Sequence, residues 1–199
     1  MTNHEEYMIK RPKASSEGLS LRIDSDILNA IRKEARQKDI SVNTLLNQIT
    51  KQHVQWHSYA AAAGFVTIRK QSLMKLINRL DDAEISNIAK EISKESKDFV
   101  ILLRNEYNLE SVLDVIQTWI RICAYKYKSE VKGATQLHII QHDMGKKWSF
   151  YLAEVFRYIF EQLEVRKVDF DTTENTLSFL LHVSRTQSLD TINTIDNSF

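Results

Sequence analysis

The chain has 199 residues, 43% hydrophobic and 27% charged, which suits a globular protein of one medium domain or two small ones. Its 27 basic and 26 acidic side chains leave a formal net charge of +1, which excludes a uniformly basic protein that coats nucleic acid. Any contact with nucleic acid must come from a local patch. The longest unbroken apolar run, Phe99 to Leu103, falls far short of the roughly 20 residues that cross a bilayer, so no membrane partner is expected. His4, Glu5 and Glu6 give the N-terminus none of the apolar character of a signal peptide. Cys123, the single cysteine, cannot form an internal disulfide, and a reducing cytoplasm is the expected home.

Four glycines and one proline punctuate the chain. Residues 1–17 are polar and lack hydrophobic periodicity, which predicts a flexible arm carrying Lys10, Arg11 and Lys13. Gly18 precedes the first regular pattern, and Gly64 follows Ala60 to Ala63 where a helix can end. A first domain over 18–63 and a second over 65–184 follow from this punctuation. Residues 185–199, rich in Ser, Thr, Asn and Asp, read as a loose tail. Charge is mildly asymmetric, +2 over residues 1–63 and −1 over 64–199.

Leu19-Ser20-Leu21-Arg22-Ile23 alternates apolar and polar with period two, the pattern of a half-buried strand. Asp24 is placed to cap a helix with Ile27, Leu28, Ile31 and Ala35 on one face. After a break at Lys38-Asp39, Ser41 is placed to cap a second helix, with Ile40 stapled onto Leu45. The apolar face of that helix runs through Leu46, Ile49, His53 and Trp56 to Ala63, which predicts an unbroken helix up to Gly64, roughly 34 Å long.

One short strand and two helices cannot bury an adequate core, and a lone strand leaves its backbone unpaired. Two chains that pair their strands antiparallel solve both problems. Leu19, Leu21 and Ile23 then face a shared core while Ser20 and Arg22 project outward. A two-stranded ribbon fits the DNA major groove, where Arg can donate two hydrogen bonds to guanine. Ser41-Val42-Asn43, opening the second helix, can offer backbone N–H groups to a phosphate.

In these residues, Gly18 to Trp56 resembles the ribbon-helix-helix DNA-binding domain of the Arc and methionine repressors. The similarity covers about 40 of the 199 residues and rests most on Leu19-Ser20-Leu21-Arg22-Ile23 and on Ile40-Ser41-Val42-Asn43. The resemblance implies that Gly18, Ser20 and Arg22 occupy the base-reading positions and Ser41, Val42 and Asn43 the phosphate anchor. It also implies a homodimer or higher oligomer, double-stranded DNA as partner, and a bacterial, archaeal or viral source. Gly18 departs from the pattern, since it has no side chain with which to read a base. Lys10, Arg11 and Lys13 could clamp flanking phosphates.

The remaining chain is expected to be α+β. Phe65 to Arg69 reads as a short strand, and Leu73 to Leu80 as a short helix. Asp81 to Glu84 has capping-box spacing and opens a longer helix, and another carries Leu109 to Ile120. Residues up to Gly133 read as helical. Gln136 to His142 reads as a strand, Lys146 to Leu163 as an amphipathic helix, and 165–171 with 176–183 as paired strands. The ending is thus β-α-β-β, with helices covering one sheet face. This region is expected to sense an unknown effector or to add oligomer contacts.

Chemical sites are sparse in it. His138, Ile140 and His142 share a strand face, with His182, Cys123 and Asp143 as conceivable further ligands. Alternate histidines four apart on a strand are about 13 Å from each other, too far for one ion, so no metal is expected. Lys146 and Lys147, opening a helix, are a candidate anion or effector site. No catalytic constellation stands out, and no cofactor is implied. The rival readings are an antitoxin-like interaction protein, or an enzyme or metal protein whose DNA binding is autoregulatory.

Overall fold

The computed structural model describes residues 17–165 and 167–182. The expected arm carrying Lys10, Arg11 and Lys13 lies outside the described residues but for Glu17, and the expected tail over 185–199 lies outside them entirely. The chain is mixed α+β, with helices and a four-stranded antiparallel sheet. It divides into two compact units at Gln48 and Ile49, whereas the sequence expectation drew its boundary at Gly64.

The first unit contains α1 (Ser25–Gln37) and the opening of α2 (Val42–Gln52). No strand forms over Leu19 to Ile23. Among the described residues they have no neighbouring strand, because the four strands there pair only with one another. Asp24 occupies the N-cap position of α1 but makes no side-chain capping hydrogen bond, contrary to expectation. α1 stops where Asp39 takes a left-handed φ of 53° and the Ile40 N–H reaches back 3.0 Å to the Ala35 carbonyl. Ala35 and Leu45 are the buried apolar side chains of this unit.

The second helix is not the uniform rod that its apolar face suggested. After Gln52 the chain passes through a π-helical turn at His53–His57 and resumes as α3 (Ser58–Ala60). A π turn holds one extra residue, which rotates everything downstream relative to the preceding face. Trp56 is thereby buried, edge-on to Phe65 at 5.2 Å and Phe99 at 5.5 Å, while His53 and Val54 are exposed. Gly64 ends the helical run as expected, with φ at 80° and the Phe65 N–H bonded to the Ala60 carbonyl. The strand expected over Phe65 to Arg69 does not form. Phe65 turns onto the aromatic cluster, and Val66 and Ile68 stay exposed with no strand to pair them.

α4 (Lys70–Ile77) and α5 (Asp82–Arg104) follow. The capping box at the start of α5 is complete: Asp81 accepts from the Glu84 N–H and Glu84 accepts from the Asp81 N–H, both at 2.8 Å. Asn105 closes α5 in the left-handed conformation, and Asn108 caps α6 (Leu109–Ile122) through the Ser111 N–H. Arg104 braces this hairpin by donating to Asp114, Thr118 and the Leu103 carbonyl.

The stretch read as helical before Gly133 is strand β1 (Lys126–Lys132), paired with β2 (Thr135–Gln141) across a two-residue turn with Gly133 at φ 59°. Its alternation is real but weak, since Tyr127, Ser129 and Val131 supply only two apolar side chains. α7 (Lys146–Gln162) then leads to β3 (Val168–Thr172) and β4 (Thr176–His182), giving sheet order β1-β2-β4-β3. Gln136, His138 and Ile140 on β2 and Leu177, Phe179 and Leu181 on β4 turn one face inward. α7 covers this face with Trp148, Leu152, Phe156 and Phe160, spaced four apart. α5 packs outside α7, joined to it where Glu154 accepts from the Ser86 hydroxyl at 2.7 Å, while Arg157 of α7 itself donates to the same carboxylate at 3.1 Å.

Asp81→Ala removes one half of the capping box and leaves the rest of α5 intact. Its expected cost is about 1 kcal/mol, read as a lower urea midpoint at unchanged m-value.

Candidate nucleic-acid interface

Gly18, Ser20 and Arg22 are all exposed, and a methyl group added at Gly18 would meet nothing within 4 Å. The apolar residues between them are exposed as well: Leu19 at 81% and Leu21 at 65% of their full surface, with Ile27 on α1 at 54%. These side chains together leave apolar surface turned to water on this unit.

The second half of the candidate interface opens α2. Ser41 caps it as the sequence predicts, its Oγ accepting from the Thr44 N–H at 3.0 Å and meeting the Thr44 hydroxyl at 2.8 Å. Leu45, the expected partner of Ile40 in the staple, is buried. With the Thr44 N–H satisfied, helix geometry leaves the Val42 and Asn43 N–H groups outside the ladder, at the positive end of the helix. Asn43 is exposed and Val42 half-buried, and the Asn43 carbonyl accepts from the Asn47 amide at 2.9 Å. The residues expected to read bases and those expected to hold phosphates therefore lie in one unit, and both sets reach the surface.

The other sequence candidates have other duties. Lys147, at the start of α7, donates to the Asn78 carbonyl at 3.2 Å and to the Leu80 carbonyl, so its ammonium closes the end of α4. Lys146 is exposed, and the Gly145 N–H donates to Asn175 at 3.0 Å. The histidines do not converge. His182 pairs with Asp169 at 2.9 Å, and His138 meets the Tyr127 hydroxyl at 2.5 Å while stacking on Phe179 at 4.6 Å. No group of three or more His, Cys, Asp or Glu fit to hold a metal ion occurs among the described residues. Burial pushes the Cys123 thiol up to about 11, which keeps it protonated at neutral pH.

One pair escaped sequence reasoning. His142 Nε2 lies 2.9 Å from the Ser149 hydroxyl, and both residues are buried. Seven residues separate them across a strand end and a helix start, a spacing that carries no local signal. The pair resembles a nucleophile and its base, but the proton is on the wrong nitrogen. His142 Nδ1 accepts the Met144 N–H at 3.2 Å, which places the ring proton on Nε2. The imidazole thus donates to Ser149 rather than drawing its proton away, and the pair fastens β2 to α7.

The chain matches no protein-family model and no curated protein.

His138 is expected to govern acid stability. Burial pushes it down to about 4, so the folded protein holds it neutral while the unfolded chain takes up a proton near 6.5. The unfolded state therefore binds more protons in this window, and stability falls as pH drops from 6.5 toward 4, by up to about 3 kcal/mol. In His138→Phe, which keeps a ring against Phe179, that slope should flatten, measured by urea denaturation across the same pH range.

Proposed function

We propose that the chain is a homodimeric, sequence-specific DNA-binding transcriptional regulator. Residues 18–56 would form its ribbon-helix-helix domain, and the α+β unit would add regulation or oligomer contacts. The observation that carries this reading is the exposure of Leu19 and Leu21 on either side of an exposed Ser20, with Arg22 next in line. A second copy supplies the missing strand: antiparallel pairing buries the leucines and satisfies the backbone, and it sets two Ser20 and two Arg22 side by side on the outer face. Double-stranded DNA is the partner that such a face suits, with Arg22 reading guanine and Ser20 reading an adjacent base. The Val42 and Asn43 N–H groups would hold the flanking phosphates and fix the register. Because Gly18 contributes no side chain, one dimer reads few bases, which favours tandem binding of dimers on an operator.

The test is fluorescence-anisotropy binding to the protein's own promoter and to a scrambled duplex at several salt concentrations. Wild type should prefer the promoter. Arg22→Ala should lose roughly 1–3 kcal/mol per bidentate contact, and with it that preference, while staying folded and dimeric. Ser41→Ala should weaken both duplexes alike. Leu21→Lys should yield a monomer with an intact second unit, seen by sedimentation and circular dichroism. Failure of the wild type to bind either duplex at moderate salt would overturn the regulator reading and leave the ribbon as a dimerisation device.

A further inference from the structure

The three tryptophans of the chain stand far apart in sequence, yet all three line one cavity in the second unit. Trp56 comes from the π-helical turn, Trp119 from α6 and Trp148 from α7, and Phe65 and Phe99 complete an aromatic wall. The cavity measures about 250 Å³. Among the described residues no charged side chain lines it; Ser96 and Tyr151 bring the only hydroxyls. The Ser96 hydroxyl is spent on the Ser93 carbonyl at 2.6 Å. Its deeper walls, Val112, Leu152 and Phe156, are buried, whereas Phe65 and Ile92 at the rim are exposed.

Protein interiors pack to crystal density, and the apolar walls of this pocket, open at its rim, forfeit the dispersion contacts that packing would give them. A dry apolar cavity of about 150 Å³ accepts benzene, so one of 250 Å³ has room for a second ring. Phe99, Trp119, Tyr151 and Val155 are half-buried, between the exposed rim and the buried Val112, Leu152 and Phe156, and a compact apolar molecule is the occupant that reaches the buried walls as well as the rim.

We propose that this cavity is a binding site for an uncharged apolar molecule of one or two rings, and that Trp56 carries its presence into the π-helical turn. His53–His57 is π-helical here, and an α turn of the same segment would differ from it by one residue of register. A ligand packed on Trp56 makes different contacts with the two and biases the balance between them. Because α2 runs directly into this turn, the molecule would be the effector of the regulator; that consequence rests on the DNA-binding reading, and the site itself does not.

The experiment titrates 1-aminonaphthalene, a two-ring fluorescent probe that is uncharged at neutral pH, into the full chain. All tryptophan emission originates at the cavity wall, so binding should quench it and sensitise the probe, saturating at one probe per chain. Val115→Phe, which fills the void from α6, and Ile92→Glu, which puts a charge on the exposed rim, should each weaken binding by at least about tenfold. Neither should lower the melting temperature by more than a few degrees. The absence of saturable binding overturns the proposal. So does equal binding by wild type and Ile92→Glu, which would put the probe on the exposed Leu19 and Leu21 surface. Promoter binding is then measured with the probe saturating. A change in affinity supports the effector role, and unchanged affinity overturns that role. A chain that binds probe but no DNA refutes the regulator reading and leaves the site standing.

Discussion

Phe179 is the point on which the second unit turns. It sits in the middle of the sheet, wholly buried, with Phe156 and Phe160 of α7, Phe170 of β3 and His138 of β2 around it at centroid distances of 4.6 to 6.1 Å. Three strands and the covering helix meet at this one ring. Aromatic pairs at such spacings add to the stabilisation that burial alone provides. The same arrangement holds His138 away from water, and so it determines the protonation state of that imidazole as well as the seat of α7. With α7 fixed, α5 and α6 have a surface to pack on, and the cavity wall they share acquires its shape.

The helices of this unit were legible because their signals are local and mutually consistent. Asp81 and Glu84 carry a capping box, and Trp148, Leu152, Phe156 and Phe160 recur four apart. β1 was not legible. α6 ends at Cys123 with Ala124 in the left-handed conformation, a place where glycine usually gives warning, and the strand that follows offers mostly lysine, serine and glutamate. Its pairing with β2 is a property of the hairpin rather than of its own composition. The π turn was hidden for a similar reason. The spacing of apolar residues across His53–His57 suits an ordinary helix, and the aromatic neighbours that reward burial of Trp56 lie at Phe65 and Phe99. Phe65 to Arg69 shows the converse error: apolar alternation makes a strand only where a ladder is available.

The candidate interface divides along the same line. The cap at Ser41 depends on residues three apart and takes its expected form. The strand expected over Leu19 to Ile23 needs a neighbouring strand, and among the described residues none pairs with it. Its alternation states what the segment requires, and the exposure of Leu19 and Leu21 states that the requirement is unmet within the chain. Arg22 and Ser20 have meaning as a reading face only if that requirement is met symmetrically.

The clasp on α4 has a consequence for ionic strength. This helix has only eight residues, too short to persist by its own hydrogen bonds, and lysines tie it at both ends. At its start Lys70 pairs with Asp143 at 2.7 Å on the open surface, where dissolved ions screen the attraction. At its finish Lys147 reaches the Asn78 and Leu80 carbonyls from a partly sheltered position. Concentrated salt therefore loosens the two ends unequally. Amide exchange in α4 should quicken from Lys70 inward while the turn at Leu80 holds, so that the helix frays as a flap hinged at its C-terminal end.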